Sequence, residues 1–264
     1  MAPEPPPDTR WQALLVGVAS NAHSADPGFA QSLNSQLEFA RALERNMPGL
    51  REDDLIVLPE PRYAHEVTEA IALLNEAHDC EGEADRVRPG LLFYYCGHGM
   101  DADGRLYLSM VETTDDDTHR RRTGLALRDV LETIGATAFR RPWVVLILDC
   151  CFAGLACEED GARRAHLLMA VGPDVLATHD PGSTGPTHFT GALLELLRDG
   201  DPAAGPWIDL ETAYQWLSPR VVASHGEDRK PGQRPFRDSG AIVLGRNRAH
   251  SRARVQRENA DHTV

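Results

Sequence analysis

At 264 residues, 42% of them hydrophobic and 25% charged, the chain is long enough to bury a full core and has the composition of a globular protein. With 40 acidic against 27 basic residues it carries a net charge of −13, which argues against a body that binds nucleic acid. No run of 18 uninterrupted apolar residues occurs, so no transmembrane helix is expected and no membrane partner is implied.

The opening stretch from Met1 to Asp8 is proline-rich and acidic. It lacks the basic start and apolar run of a signal peptide, so residues 1–10 read as a disordered leader. Ala13 to Val18 is a short apolar run that suits a first buried strand. A helical pattern follows in Leu37, Phe39, Ala40 and Leu43, ending near Pro48 and Gly49. Leu55 to Leu58 reads as a second strand, and His65 to Ala77 as a helix with Val67, Ile71 and Leu74 on one face.

Leu91 to Tyr95 and Val144 to Leu148 are continuous apolar runs, each introduced by a proline-containing turn. Runs apolar on both faces, alternating with helices, mark parallel strands covered by helices on both sides. Between them the pattern predicts a strand over Arg105 to Met110 and a helix over Leu125 to Ile134. His166 to Val171 is expected to be a fifth core strand, followed by helices over Phe189 to Leu197 and Leu210 to Val221 and a last strand over Gly240 to Leu244. The expected architecture is one α/β domain over residues 11–246, with about six mainly parallel strands whose order the pattern does not reveal. Residues 247–264 carry Arg248, Arg252, Arg254 and Arg257 without an apolar period and read as a solvated, disordered tail. The five cysteines, at 80, 96, 150, 151 and 157, show no CxxC spacing; they suggest neither a disulfide framework nor a zinc site and fit a reducing cytoplasm.

Two of the most apolar strands end in reactive groups: the first in Tyr95-Cys96-Gly97-His98-Gly99, the second in Leu148-Asp149-Cys150-Cys151. In open α/β sheets the ligand crevice lies beyond the carboxyl ends of the strands. If the two strands are neighbours, His98 and a cysteine meet there, and an imidazole beside a thiol can take its proton and stabilise the thiolate. Glycines flanking His98 let backbone amides approach a substrate closely, as an oxyanion site requires. Strand alternation sends Cys150 and Cys151 to opposite faces and does not choose between them.

The glycine-flanked His98, with Cys151 53 residues later in Asp149-Cys150-Cys151-x-x-Gly154, resembles the caspase and metacaspase superfamily, where that spacing is about 50. The likeness extends to Ala13–Val18, to Phe189–Leu194 and to Gln233-Arg234-Pro235 before Gly240–Leu244, and is closest to actinobacterial caspase-like proteins of the effector-associated type. It implies a caspase-hemoglobinase fold and a cysteine endopeptidase with Cys151 as nucleophile and His98 as general base. It also implies an oxyanion hole from the backbone N–H groups of Gly99 and Cys151, a protein or peptide substrate, and partner proteins of a bacterial conflict or cell-death system. Aspartate-cutting caspases carry glutamine two residues before the nucleophile. Asp149 stands there in this chain, as in relatives that cut after Arg or Lys, and Cys96 falls on a pocket serine of metacaspases. A second pocket acid of many metacaspases is matched only by Asn34-Ser35, which leaves Ser35 in its place.

No cofactor is implied, although some metacaspases bind activating Ca²⁺ near the position of Asp115-Asp116-Asp117; no EF-hand spacing is present. Arg120-Arg121-Arg122 and Arg163-Arg164 lie in polar connections where an Arg-cutting enzyme could process itself, and Glu158 to Arg164 is where relatives are often cut. His166 and His188 belong to no motif. A catalytically silent scaffold would usually lose His or Cys, and this chain keeps both. A thiol phosphatase would need Arg six residues after its cysteine, where this chain has Cys157, and phosphate-binding glycine patterns are absent.

Overall fold

The computed structural model describes residues 10–23, 29–79, 89–114, 116, 119–136, 141–177, 183–236 and 242–252, with main chain only at 78 and 79. The chain runs β1 (Trp11–Gly17), α1 (Ala30–Asn46), β2 (Leu50–Pro59), α2 (Ala64–Asp79) and β3 (Gly90–Cys96). A meander follows, β4 (Gly99–Ala102), β5 (Arg105–Leu108), the single turn α3 (Arg120–Thr123) and β6 (Leu125–Ala126), leading into α4 (Leu127–Gly135). Next come β7 (Val144–Asp149), two 3-10 turns (Ala153–Glu158 and Asp160–Arg164), β8 (His166–Met169) and α5 (His188–Asp199). The last elements are β9 (Trp207–Asp209), α6 (Leu210–His225), β10 (Gly232–Arg234) and β11 (Val243–Arg246).

Six strands form the main sheet in the order β10-β8-β7-β3-β1-β2. All pairings are parallel except that of β10 with β8. Every residue of β1 and of β3 is buried, which is why both read as unbroken apolar runs. Alternation divides these side chains between two cores. Leu14, Val16, Phe93, Tyr95, Leu146 and Leu148 pack with Val67, Ile71, Val130 and Leu131 of α2 and α4. Ala13, Leu15, Leu92, Tyr94, Val145 and Ile147 pack with Phe39 and Leu43 of α1, Leu193 of α5 and Leu217 of α6. Each fully buried Leu, Ile or Phe contributes about 1.5–3 kcal/mol, so these two layers carry most of the stability.

The strand expected at Arg105 is β5, over Arg105–Leu108, and it belongs to the separate sheet β4-β5-β6. The end of the main sheet corrects an expectation. The sixth core strand is β10, whose half-buried polar residues pair antiparallel with Leu167–Met169. The apolar run expected to close the sheet instead pairs, as β11, with β9 in a two-stranded ribbon; Gly240 and Ala241 lie outside the described residues. Packing also continues past position 246. Asn247 is fully buried, its amide donates to the carbonyls of Asp201 and Gly205, each at 2.7 Å, and residues 248–252 are helical. The side chain of Asn247 replaces main-chain partners that the loop 201–205 lacks, which holds this part of the expected tail to the domain. Residues 253–264 and 1–9 lie outside the described residues, while Arg10 pairs with Asp54 at 3.1 Å.

The four cysteines described are free thiols, and Cys80 lies outside the described residues. His166 is buried, and its Nδ1 accepts from the Phe236 N–H at 3.3 Å. His188 meets the His225 ring edge-on at 4.2 Å. Among the described residues no helix is long and apolar enough to cross a membrane.

Candidate active site

Adjacency of β3 and β7 assembles the site. The two strands are parallel with Cys96 opposite Asp149, so the segments that leave them, 97–99 and 150–152, run side by side at the carboxyl edge of the sheet. The Gly97 N–H donates to the Asp149 carbonyl at 3.3 Å, continuing the ladder one step beyond β3. The His98 carbonyl accepts from the Ser109 N–H at 2.9 Å. The imidazole packs near the ring of Phe29, centroid to centroid 5.8 Å, and the Phe29 N–H donates to the Ala19 carbonyl at 2.6 Å. Gly99 lies hard against the turn at Cys150 and Cys151. A Cβ at that position would overlap the Cys151 carbonyl oxygen and stand 3.0 Å from the Cys150 sulfur.

The two cysteines occupy different surroundings. Cys150 is 1% exposed within the core shared with α2 and α4, and burial pushes its thiol well above the ordinary range. Cys151 is half-buried at the edge. Its sulfur accepts from the Ala177 N–H at 3.3 Å. Burial pushes the Cys151 thiol up, while the amide hydrogen bonds and the charge of Arg229 pull it back. A thiol held up in this way favours its protonated form, so a nucleophilic role for it would require a base. Phe152, next in the chain, adopts φ 56°, a left-handed conformation that costs a non-glycine residue about 1–3 kcal/mol. The Phe152 N–H donates to the Val175 carbonyl at 3.0 Å, which helps to hold that turn.

Asp149, Cys96 and Ser35, the three residues expected to read the substrate, come together in one buried cluster. Asp149 is 3% exposed, and its Oδ2 accepts from the hydroxyls of Thr187 at 2.5 Å and Thr190 at 2.6 Å. The Cys96 thiol is fully buried, as is Ser35, whose Oγ accepts from the Thr187 N–H at 2.9 Å. Burial pushes the Asp149 carboxyl up, and these donors pull it back. Thr187 is also the N-cap of α5, accepting from the Thr190 N–H. Asp149 thus sits at a helix N-terminus, where a negative charge is favoured. Thr187, Thr190, Ala177 and Phe29 were not singled out from the sequence. Thr187 alone carried a local signal, a threonine just ahead of an apolar helical pattern.

A solved structure shares this arrangement of strands. The crystal structure of caspase-1 from Spodoptera frugiperda aligns with a TM-score of 0.62 at 14% identity, covering 92% of each chain. The fold is that of a caspase. No protein-family model and no curated protein matches the chain.

The remaining sequence features take definite positions on this caspase-like scaffold. The connection Glu158–Arg164 is folded into 3-10 turns, with Ala162 fully buried and Arg234 donating to the carbonyls of Cys157 (2.8 Å) and Ala162. The side chains of Arg163 and Arg164 are exposed on this folded connection. Arg120–Arg122 form α3, where Arg120 donates to the Asp101 carbonyl at 3.1 Å. Of the three consecutive aspartates only Asp116 is described, and its carboxylate caps the turn at His119. Among the described residues no group of three His, Cys, Asp or Glu side chains is placed to hold a metal ion.

Proposed function

We propose that the chain is a cysteine endopeptidase of the caspase and metacaspase type. Cys151 is the nucleophile, His98 the general base, and the backbone N–H groups of Gly99 and Cys151 form the oxyanion hole. The observation that carries this reading is the pairing of β3 with β7, which sets the His98 turn beside Cys151 with Gly99 in contact with the nucleophile's own peptide.

In the reaction, His98 takes the thiol proton as the sulfur of Cys151 bonds to the scissile carbonyl carbon. The carbonyl π electrons move to oxygen, and the two N–H groups stabilise that charge. Collapse of the intermediate breaks the C–N bond, and His98 returns the proton to the leaving amine. Water, deprotonated by His98, then hydrolyses the thioester and restores the thiol.

Cleavage is proposed to follow Arg or Lys, with Asp149 as the charge that selects a cationic side chain and with Cys96 and Ser35 beside it. A carboxylate in low dielectric discriminates strongly for a cation, and a substrate guanidinium would share it with the Thr187 and Thr190 hydroxyls. Roles in bacterial defence or cell death, together with partner proteins of such a system, rest on the family resemblance alone.

Asp149→Asn tests the specificity. The amide oxygen can still accept from both threonines, so the fold is expected to persist while the preference for Arg over an uncharged residue of similar length falls by about 10²-fold. Steady-state rates on matched fluorogenic peptides read this directly. An unchanged preference would mean that Asp149 serves only to hold Thr187 and Thr190 at the start of α5.

A further inference from the structure

Tyr95 is the penultimate residue of β3 and is fully buried on the face toward α2 and α4. Phe93 fills the same face two residues earlier with a bare ring, so packing alone does not require a hydroxyl at 95. That hydroxyl lies 3.0 Å from the His98 carbonyl oxygen and 2.8 Å from the Ser109 carbonyl oxygen. Gly97 passes directly over it, since a Cβ there would come within 2.6 Å of the phenolic oxygen. The Tyr95 hydroxyl therefore serves the turn that carries His98.

The peptide joining His98 to Gly99 is planar and trans, so its C=O and N–H point in opposite directions. Fixing the carbonyl fixes the amide. Two groups donate to that carbonyl, the Ser109 N–H at 2.9 Å and the Tyr95 hydroxyl, whose single proton is shared with the Ser109 carbonyl at 2.8 Å. Both also polarise the peptide and strengthen its N–H as a donor. Gly99 stands opposite Leu108, one step past the bonded pair of His98 and Ser109. In an antiparallel ladder that next position turns its N–H away from the partner strand.

We propose that Tyr95 is a positioning residue of the oxyanion hole: by holding the His98 carbonyl, its hydroxyl aims the Gly99 N–H at the oxygen of the intermediate formed on Cys151. The inference rests on the peptidase reading above and adds a residue to it. Oxyanion donors act only when charge develops on the substrate oxygen, so the loss should fall on kcat and spare KM.

Tyr95→Phe keeps the ring and removes the oxygen. The expected result is a kcat lower by about tenfold with KM within about twofold of wild type. Affinity for an arginine-ending peptide aldehyde, which adds to the Cys151 thiol and places its oxygen in the same hole, should fall by about the same factor. Alkylation of Cys151 by iodoacetamide forms no oxyanion and should keep its wild-type rate. Gln12→Met removes a different buried hydrogen bond of the sheet, from Gln12 to the Leu74 carbonyl at 2.8 Å, and should leave all three quantities unchanged. The Gly99 amide cross-peak in a ¹⁵N–¹H spectrum needs no turnover, and it should move in Tyr95→Phe but not in Gln12→Met. An unmoved Gly99 peak, an unchanged kcat, or alkylation that falls in step with kcat overturns the proposal. A moved peak in a protein whose wild type hydrolyses no peptide would instead retire the peptidase reading and leave the contact without a catalytic role.

Discussion

Replacing Cys151 with alanine is expected to lower peptide hydrolysis by at least about 10³-fold, whereas Cys150→Ala should keep most of the activity. The two residues are adjacent, yet their surroundings differ in each respect that matters to a nucleophile. Cys150 is closed into an apolar core beneath Gly99, where a thiolate is strongly disfavoured and no substrate carbonyl can reach it. Cys151 is half-exposed at the strand edge, and its sulfur accepts from the Ala177 N–H. Cys150→Ala leaves at most a small void, so its cost should appear as about 1 kcal/mol of stability in urea unfolding. Equal loss in the two variants, or loss confined to Cys150→Ala, would contradict the assignment.

Gly99→Ala is the second substitution with a large expected effect. The new methyl group has no free space, because it would overlap the Cys151 carbonyl oxygen and press on the Cys150 sulfur. The oxygen belongs to the main chain and the sulfur is closed into the core, so the strain must separate the two turns. Overpacking of this kind costs about 1–3 kcal/mol of stability. The functional loss should be larger, because a displacement of about 1 Å between reacting groups can cost about 10²-fold in rate. Gly135→Ala makes a matched control. Its added Cβ meets nothing, and at the end of α4 it should be neutral or slightly stabilising with full activity. Comparing kcat/KM and melting temperature for the two alanine variants checks the contact. Wild-type turnover in Gly99→Ala would show that the turns tolerate separation.

Much of this arrangement is legible in the sequence because its elements are extreme. β1, β3 and β7 read as apolar runs since both of their faces are covered. His98 and the cysteines stand out because reactive groups directly follow two such runs. Periodicity fails where strands are too short to have a period: β6 has two residues, and β9 and β10 have three each. The last core strand was expected at Gly240–Leu244 because that stretch is apolar, but the sheet edge needs only backbone pairing, which Gly232–Arg234 supplies with half-buried polar side chains. At the site, the bonds from Thr187 and Thr190 to the Asp149 carboxylate follow only once β7 and the start of α5 are neighbours in space. Tyr95 has no sequence signal at all, since its hydroxyl matters through a carbonyl three residues on.

The most direct test of the proposed pairing of His98 with Cys151 is covalent mapping with a peptidyl chloromethyl ketone ending in arginine. The reagent alkylates a thiolate presented beside the substrate groove, and peptide mass spectrometry identifies the modified cysteine. The account predicts a single adduct on Cys151, formed with wild-type protein and slowed by at least about tenfold in His98→Ala. An adduct on Cys150, or labelling of Cys151 that is indifferent to His98, would contradict it.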